Sequence, residues 1–237
     1  MTDMPGKLYL VPTPIGNMSD ISRRAITVLS EVDLVACEDT RHSGHLLKEL
    51  GIQKPLVAYH EFNERSRAQK LVEQILAGRS IAVISDAGSP GISDPAYRVV
   101  RSALDAAIEV VALPGPCAII PALTASGLPT DRFFFEGFLP VKSAARQRRL
   151  AELAGFEHTL VFYESPHRVF KSLVDMHQVL GNRPACLARE ISKKFEQFVR
   201  MNLGEMSQLY SDRKVKGEIV IVVAGTGLMR KTEAQDE

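Results

Sequence analysis

Short apolar runs alternate with amphipathic stretches along the whole chain. In the first half, apolar runs with the length of buried strands occur at 8–11, 33–37, 56–59, 81–84 and 108–112. Apolar residues at helical spacing separate these runs, as in the helix predicted over 63–77, which Gly78 would end. Strands that alternate with helices indicate a parallel sheet with helices on its faces.

The second half continues the alternation. Strands are predicted at 133–138, 160–163, 185–188, 195–199 and 219–223, and helices at 143–154, 166–180 and 204–210. The pattern breaks around 125–130, so we place a domain boundary after Ala125. The expected fold class is α/β, with an N-terminal α/β domain at 1–125, a C-terminal α/β domain at 126–228 and a polar tail at 229–237.

The composition narrows the class of protein. Of the 237 residues, 45% are hydrophobic and 24% are charged, as in ordinary soluble globular proteins. No apolar run approaches the roughly 20 residues that span a bilayer. The first residues lack the charged start and apolar core of a secretory signal, and the three cysteines lie far apart, so we expect a cytoplasmic protein. The net charge of +1 argues neither for nor against a polyanionic partner.

Loops rich in glycine and proline follow several predicted strands. The densest, SDAGSPGISDP, occupies 85–95, and shorter ones occupy 12–17, 113–118 and 164–168. Asp94 would cap the next helix, with Pro95 as its first residue. In an open α/β sheet, ligands bind beyond the carboxyl ends of the strands, where such loops lie. Because glycine lets the backbone approach a ligand and proline stiffens the loop, we predict a flat, mostly neutral ligand held by main-chain groups.

Several common ligand motifs are absent or incomplete. The chain contains neither the Gly-x-x-x-x-Gly-Lys-Ser/Thr phosphate loop nor a Gly-x-Gly-x-x-Gly fingerprint after its first strand. A serine nucleophile at Ser89 is disfavoured because Pro90, the next residue, has no backbone N–H to offer an oxyanion. His42 and His45 have no third ligand at a characteristic spacing, so no metal site is expected.

Two groups of charged residues are candidates for chemistry. Asp39 and Arg41 follow the second predicted strand, and Glu164 follows a strand of the second half. Such residues orient or deprotonate a hydroxyl, or they form structural ion pairs that cap helices, and both interpretations stay open here. The second group is basic and suits either phosphate contact or a solvated helix face: Lys142, Arg146, Arg148, Arg149, Lys193 and Lys194.

The order of these motifs resembles that of the tetrapyrrole (corrin/porphyrin) methylases. The resemblance rests on 10–17, 38–41, 85–95, 113–118, 162–168 and 216–220, and it runs from about Lys7 to Gly225. It implies two α/β domains with S-adenosylmethionine in the cleft between them, and a homodimer. Within the family, the chain most resembles members that methylate the ribose 2′-hydroxyl of a cytidine in the decoding region of small-subunit ribosomal RNA. That RNA, free or in the assembled subunit, is the expected partner, and no membrane is expected.

The resemblance also implies site residues. Contacts to S-adenosylmethionine are expected from Pro14, Asp86, Gly88, Ser89, Pro90, Cys117, Ala118, Phe162, Tyr163, Ala188, Glu218 and Ile219. Cys117 stands where the family pattern has threonine, so only main-chain contacts are expected there. Asp39, Arg41 and Glu164 are the expected catalytic residues, because a ribose hydroxyl needs a base or a cation that stabilises its alkoxide.

Two other functions remain open from the sequence. The family includes enzymes that methylate tetrapyrroles, so a small acceptor is one alternative, although the basic group after residue 141 favours RNA. The other alternative is a module that binds RNA without catalysis. Such a module would not bind S-adenosylmethionine, which distinguishes it from either enzyme.

Overall fold

The computed structural model describes residues 6–213 and 215–233, and these divide into two units. The first unit ends at Cys117 and the second begins at Ala118. This division falls before the boundary placed after Ala125 from the sequence. The reason is a short helix at Ile119–Thr124, which packs against the last strand of the second unit.

The first unit is a five-stranded sheet with helices on both faces. Its strands are β1 (Leu8–Leu10), β2 (Leu34–Cys37), β3 (Leu56–Ala58), β4 (Ile81–Ile84) and β5 (Val110–Ala112). Its helices are α1 (Arg23–Glu31), α2 (Thr40–Glu49), α3 (Glu64–Leu76) and α4 (Tyr97–Asp105), with a 3-10 turn at Met18–Asp20. The strand order is β3-β2-β4-β1-β5, and every pairing is parallel. The parallel, helix-flanked sheet predicted from the sequence is confirmed.

Burial on both faces accounts for the apolar strands of this sheet. Every residue of β2 and β4 is buried, as expected for the central strands of a parallel sheet. Alternate residues enter two apolar cores: Ala36 and Val83 pack with α3 and α4, whereas Val35 and Ala82 pack with α1 and α2. Because all five strands are parallel, their carboxyl ends lie at one edge, where the glycine- and proline-rich loops begin.

The second unit contains a mixed sheet. Its strands are β6 (Phe133–Phe138), β7 (Thr159–Glu164), β8 (Pro184–Arg189), β9 (Gln197–Asn202) and β10 (Ile219–Val223). Its helices are α5 (Ile119–Thr124), α6 (Ser143–Leu153), α7 (Val169–Leu180), α8 (Leu203–Leu209) and α9 (Thr226–Glu233). The order is β6-β7-β10-β8-β9, with only β6 and β7 parallel, and the register of that pair shifts between Phe135 and Gly137. Helices α6, α7 and α8 cover one face and close the core around Phe162.

Some helix limits differ from the sequence prediction. Helix α4 begins at Tyr97, and its N-cap residue, Ala96, contributes no side-chain hydrogen bond, so the predicted cap by Asp94 is wrong. Of the polar tail expected at 229–237, residues 229–233 lie in α9, and 234–237 lie outside the described residues. None of the helices in the described part of the chain is long and apolar enough to cross a membrane.

Candidate functional site

The loops after β1 and β4 are joined by paired backbone hydrogen bonds. The Thr13 N–H donates to the Gly88 carbonyl at 2.9 Å, and the Gly88 N–H donates to the Thr13 carbonyl at 3.0 Å. The buried Thr13 hydroxyl donates to the Ser85 carbonyl at 3.0 Å, and the Ser85 hydroxyl donates to the Gly88 carbonyl at the same distance. We call Thr13, Ser85 and Gly88 the loop clasp, because they fix two ligand loops to each other.

The loop after β5 is fastened to the same place. The Ser89 hydroxyl donates to the Pro116 carbonyl at 3.0 Å. Gly88 has a φ of +84°, a left-handed conformation that favours glycine, and a Cβ there would lie 3.4 Å from Ile15 Cγ2. A Cβ on Gly115 would lie 2.7 Å from the Cβ of Pro12, so a side chain there would force the loops apart. Glycine therefore permits the close approach of three loops at this edge of the sheet.

The first-unit positions expected to contact a cofactor all lie in these loops. Pro14 is half-buried one residue after Thr13, and Asp86, Gly88, Ser89 and Pro90 form the turn that the clasp holds. Cys117 is the last residue of the first unit and is half-buried. Ala118 begins the second unit as the N-cap residue of α5.

Three carboxylates lie near one another at the ends of β2 and β4. Burial raises the pKa of Glu38, and the charges of Asp86 and Glu61 raise it further. Burial, with smaller effects of the Glu38 and Asp86 charges, raises the pKa of Asp94 to about 6. We call Glu38, Asp86 and Asp94 the acidic cluster. They are not spaced as metal ligands, and no other group of three metal-binding side chains exists among the described residues.

Asp39 caps helix α2. Its Oδ1 accepts hydrogen bonds from the backbone N–H groups of Arg41 at 2.7 Å and His42 at 3.4 Å, and these lower the pKa of its carboxyl. The exposed Arg41 side chain places Nε 3.7 Å from the same oxygen. The structure thus supports the capping interpretation of Asp39, and a carboxylate held ionised in this way is a weak base. The Asp39 N–H donates to Asp86 Oδ1 at 3.2 Å, which connects the cap to the acidic cluster.

Glu164 is enclosed by its own turn. Its side chain is fully buried, and Oε1 accepts hydrogen bonds from Arg168 Nε and the Ser165 N–H, both at 2.6 Å. Because side chains alternate along a strand, Glu164 shares the face of β7 that carries the core residue Phe162. The other oxygen, Oε2, is buried without a hydrogen-bond partner. The structure thus supports the ion-pair interpretation of Glu164, which fastens the end of β7 to the turn before α7, and its catalytic role stays a prediction.

The second-unit positions expected to contact a cofactor have unequal surroundings. Phe162 is fully buried in the core beneath α6 and α7, so its ring is not exposed to a ligand. The cofactor contact predicted for this residue is left to its backbone. Tyr163 lies on the opposite face and is half-buried against Phe135. Ala188 and Ile219 are buried within β8 and β10, two strands that are paired on both sides, and the Ile219 side chain belongs to the core.

Among the basic residues predicted to contact RNA, Arg146 is buried. Its side chain is 2% exposed and binds Asp175 Oδ2 at 2.6 Å. The same guanidinium donates to the carbonyls of Pro140 and Val141. The predicted RNA contact by Arg146 is therefore wrong, because a fully satisfied buried cation cannot reach a phosphate.

Of the other basic candidates, two form ion pairs and three are exposed to solvent. Arg149 is held at 2.6 Å by both Glu136 and Glu152. Lys193 binds Glu190 at 3.1 Å and the exposed Glu218 at 3.0 Å, which fastens the loop after β8 to the start of β10. The remaining three side chains are exposed to solvent: Lys142, Arg148 and Lys194.

Thr13 and Asp94 are two residues of the site that the sequence motifs do not reveal. Thr13 is the one hydroxyl between two prolines in the first loop, which is a weak signal for a clasp. Asp94 was assigned to a helix cap, and its partnership with Glu38 depends on β2 and β4 being neighbours in the sheet. Strand order is not visible in a single sequence, so neither partnership could be deduced from the motifs.

Comparison with protein families assigns this chain to a known one. The model of the Tetrapyrrole (Corrin/Porphyrin) Methylases matches residues 7–207, so the chain belongs to that family. The chain is 52% identical over 221 residues to Ribosomal RNA small subunit methyltransferase I of Vibrio cholerae, covering 92% of this chain and 77% of that protein. It is 49% identical over 223 residues to the protein of the same name from Escherichia coli O157:H7, covering 93% and 78%.

Solved structures agree on the fold at much lower identity. Uroporphyrin-III C-methyl transferase from Thermus thermophilus, complexed with S-adenyl homocysteine, has a TM-score of 0.63 at 21% identity and covers 92% of this chain and 97% of that one. Diphthine synthase has a TM-score of 0.68 at 13% identity, covering 92% and 90%. These two proteins have different acceptors in their names, so their likeness to this chain shows the fold alone.

Proposed function

We propose that this chain is an S-adenosylmethionine-dependent methyltransferase of small-subunit ribosomal RNA that modifies the ribose 2′-hydroxyl of a cytidine in the decoding region. The observation that carries the proposal is identity of about half of all residues, over more than nine-tenths of the chain, with relatives named for small-subunit RNA methylation. We further propose small-subunit RNA, free or in the assembled subunit, as the partner, a homodimer as the active form, and the cytoplasm as its location.

The loop clasp and the acidic cluster suit S-adenosylmethionine. This cofactor supplies an electrophilic methyl group on a sulfonium, and its sulfonium and amino groups are positive. The Glu38, Asp86 and Asp94 carboxylates provide the opposite charge at the carboxyl edge of the sheet. We assign cofactor contacts to Pro14, Asp86, Gly88, Ser89 and Pro90. Further contacts stay predictions: Cys117, Ala118, Tyr163, Ala188, Glu218 and Ile219.

Asp94 is the carboxylate best suited to take the proton of the acceptor hydroxyl. A base works best when its pKa lies near the working pH, and burial raises the pKa of Asp94 to about 6. We assign the stabilisation of a developing alkoxide to the Arg41 guanidinium at the start of α2, which is exposed to solvent. In this proposal Asp94 takes the role that the sequence assigned to Asp39 or Glu164.

The test is a methylation map. Small subunits that lack the modification are incubated with the full chain and methyl-labelled S-adenosylmethionine, and ribose methylation is located by primer extension at low nucleotide concentration. The expected result is one new stop at a cytidine of the decoding region. A parallel reaction offers uroporphyrinogen in place of the subunit, and calorimetry measures cofactor binding by the chain alone.

Each alternative has its own outcome in these experiments. Label in the porphyrinoid and none in RNA would replace the proposal with methylation of a small acceptor. RNA binding with no heat of cofactor binding would identify a non-catalytic RNA-binding module. Methylation at a base atom, detected by alkaline hydrolysis that cleaves beside the modified nucleotide, would keep the enzyme and exclude the ribose hydroxyl.

A further inference from the structure

His60 carries a buried nitrogen without a hydrogen-bond partner at the carboxyl edge of the first sheet. The residue follows β3, and the Tyr59 N–H just before it donates to the Cys37 carbonyl at 2.8 Å, which places His60 beside the end of β2. Among the described residues, no group lies within hydrogen-bond distance of His60 Nδ1, although this atom is shielded from solvent. Because buried polar atoms are almost always paired in folded proteins, this one calls for an explanation.

Asn63 determines which ring nitrogen of His60 carries the proton. Its Oδ1 accepts from the His60 backbone N–H at 3.0 Å, and its Nδ2 donates to the Ala58 carbonyl at 3.2 Å, so backbone groups set the orientation of the amide. The same Nδ2 lies 3.0 Å from His60 Nε2, and a ring nitrogen that faces an amide donor must accept. In the neutral ring the proton is therefore on Nδ1, and the unpaired atom is a donor.

The groups near this donor are carboxylates. Glu38 directly follows β2, the neighbour of β3 in the sheet. Burial raises the pKa of Glu38, the charges of Asp86 and Glu61 raise it further, and His60 opposes them, so His60 and Glu38 are close in space. No hydrogen bond joins His60 Nδ1 to this carboxylate. A ligand at this place therefore meets one neutral N–H donor beside a carboxylate acceptor.

We propose that His60 and Glu38 together bind a ribose hydroxyl: the Nδ1–H donates to the hydroxyl oxygen, and the Glu38 carboxylate accepts a hydrogen bond from the hydroxyl. The inference rests on the proposed function and deepens it, because the acceptor nucleotide and S-adenosylmethionine each carry a ribose. His60 is then a binding residue at the edge of the sheet, and Asn63 is a positioning residue that keeps the donor on Nδ1.

The chemistry of the surroundings selects a hydroxyl over other oxygen ligands. A phosphate or carboxylate would accept from the Nδ1–H, but the negative charges of Glu38, Asp86 and Glu61 would repel it. A carbonyl oxygen would accept from the Nδ1–H and leave Glu38 without a donor. A hydroxyl both donates and accepts, so it matches the two groups at once without carrying charge.

Two substitutions separate the two ring nitrogens of His60. His60→Gln extends an amide to the place of Nε2, where its oxygen accepts from Asn63, and it offers no donor at the place of Nδ1. His60→Asn puts an amide N–H at the place of Nδ1 and gives up the contact with Asn63. We therefore expect His60→Gln to lose ligand recognition and His60→Asn to retain most of it. The matched control is His45→Gln, at an exposed histidine of α2.

Two measurements on the full chain distinguish the two riboses. If the ribose belongs to the acceptor, His60→Gln is expected to lower kcat/KM for unmodified small subunits by roughly tenfold, as for the loss of one hydrogen bond, and to leave the Kd of S-adenosylhomocysteine unchanged. If it belongs to the cofactor, calorimetry is expected to show that Kd raised by roughly tenfold. In both measurements His60→Asn should stay within about threefold of wild type, and His45→Gln should equal it.

The position of the proton is measured by magnetic resonance on a chain that carries isotope-labelled histidine. Correlation of the ring nitrogens with the ring protons is expected to show the His60 proton on Nδ1. Asn63→Leu removes the amide donor and is expected to give a mixture of the two tautomers. A His60 proton on Nε2 in the wild type would make Nδ1 an acceptor and overturn the proposal.

The outcomes separate the role of His60 from the proposed function. Wild-type values for His60→Gln in both measurements would reject the role of His60 and leave the proposed function standing. Equal losses in His60→Gln and His60→Asn, together with a lower melting temperature, would assign His60 to folding and also reject it. A wild-type chain that methylates no RNA would reject the proposed function. Calorimetry then decides the role of His60 alone: a Kd raised by His60→Gln keeps it, and an unchanged Kd rejects it.

Discussion

Thr13 and Gly88 exchange both backbone hydrogen bonds, N–H to carbonyl in each direction, although they belong to loops that follow different strands. This pair joins two loops by a short antiparallel bridge beyond the carboxyl edge of the five-stranded sheet. The Thr13 hydroxyl adds a bond to the Ser85 carbonyl and is itself fully buried. The geometry of the proposed cofactor site thus depends on a side chain that need not touch the cofactor.

Removing the hydroxyl of Thr13 should weaken the site without removing a cofactor contact. Thr13→Val keeps the shape and leaves the buried Ser85 carbonyl without its donor, which destabilises the fold by about 1–3 kcal/mol. We expect the Kd for S-adenosylmethionine, measured by calorimetry, to rise while kcat at saturating cofactor changes little.

Two variants serve as controls for Thr13. Thr13→Ser retains the hydroxyl and should restore cofactor affinity. Thr27→Val removes an exposed hydroxyl that bonds only to the carbonyl of its own helix, so it should leave both stability and affinity unchanged. Equal effects of Thr13→Val and Thr27→Val would show that the clasp has no special role.

Asp39 should tolerate loss of its charge but not of its capping oxygen. Asparagine caps helices about as well as aspartate, so Asp39→Asn is expected to keep the thermal stability and to retain kcat within about twofold. Asp39→Ala loses the capping oxygen and is expected to unfold at lower urea than wild type. Urea denaturation and single-turnover methylation measure the two quantities. A stable Asp39→Asn variant without methyl transfer would restore Asp39 as a catalytic residue.

Asp94 should make stability and activity respond oppositely to pH. Its folded-state pKa of about 6 lies above the ordinary 3.8, so its contribution to stability is present below pH 3.8 and is lost as the pH rises to 6. Asp94→Asn has no charge to bury. We therefore expect this variant to be more stable than wild type at pH 8 and close to it at pH 4, measured by urea denaturation.

The pH dependence of methyl transfer tests whether Asp94 accepts the proton of the acceptor. If the ionised carboxylate accepts the proton of the acceptor, wild-type kcat should rise as the pH increases through about 6, and Asp94→Asn should lose this limb together with most of its turnover. Glu64→Gln, at an acid that forms an ion pair with Arg98, provides a control for general loss of charge. Full activity of Asp94→Asn with its gain in stability would assign the cluster to cofactor binding alone.

Arg146 and Arg148 should separate stability from RNA affinity. Arg146→Ala leaves the buried Asp175 without its cation, which typically destabilises by about 3–5 kcal/mol. Arg148→Ala should leave the melting temperature unchanged and reduce the salt dependence of RNA binding. Strong destabilisation by Arg148→Ala, or none by Arg146→Ala, would contradict the assignment of these two neighbours.

Much of the fold follows from local pattern. The strands β2 and β4 are apolar at every position because helices cover both faces, and this produces the continuous runs that predict a parallel sheet. Short helices are harder to predict from the pattern of apolar residues. Helix α5 has six residues and packs on β10 of the second unit, so its position is set by tertiary contact. This contact also explains why the sequence boundary and the structural division differ.

The functional site was harder to predict than the fold, because the type of a residue does not show which way its side chain points. Glu164 and Phe162 both stand in a strand-end motif, yet two-residue periodicity places both side chains toward the core. Arg146 lies in a dense basic group, yet it turns inward to Asp175 while Arg148 remains in solvent. Motifs located the loops correctly, whereas the partners of each charge required the three-dimensional structure.

The register shift in β6 has a consequence for where the phenylalanine rings of this strand lie. Phe135 and Phe138 are three residues apart, and in a regular strand an odd spacing sends two side chains to opposite faces. Glu136 is the extra residue of the bulge, since Phe135 pairs with Val161 and Gly137 with the next residue of β7. The same sequence paired in regular register, without the bulge, would turn Phe138 toward the core face of the sheet. The face on which this ring lies is therefore decided by the number of residues between two pairings, and not by which residues they are.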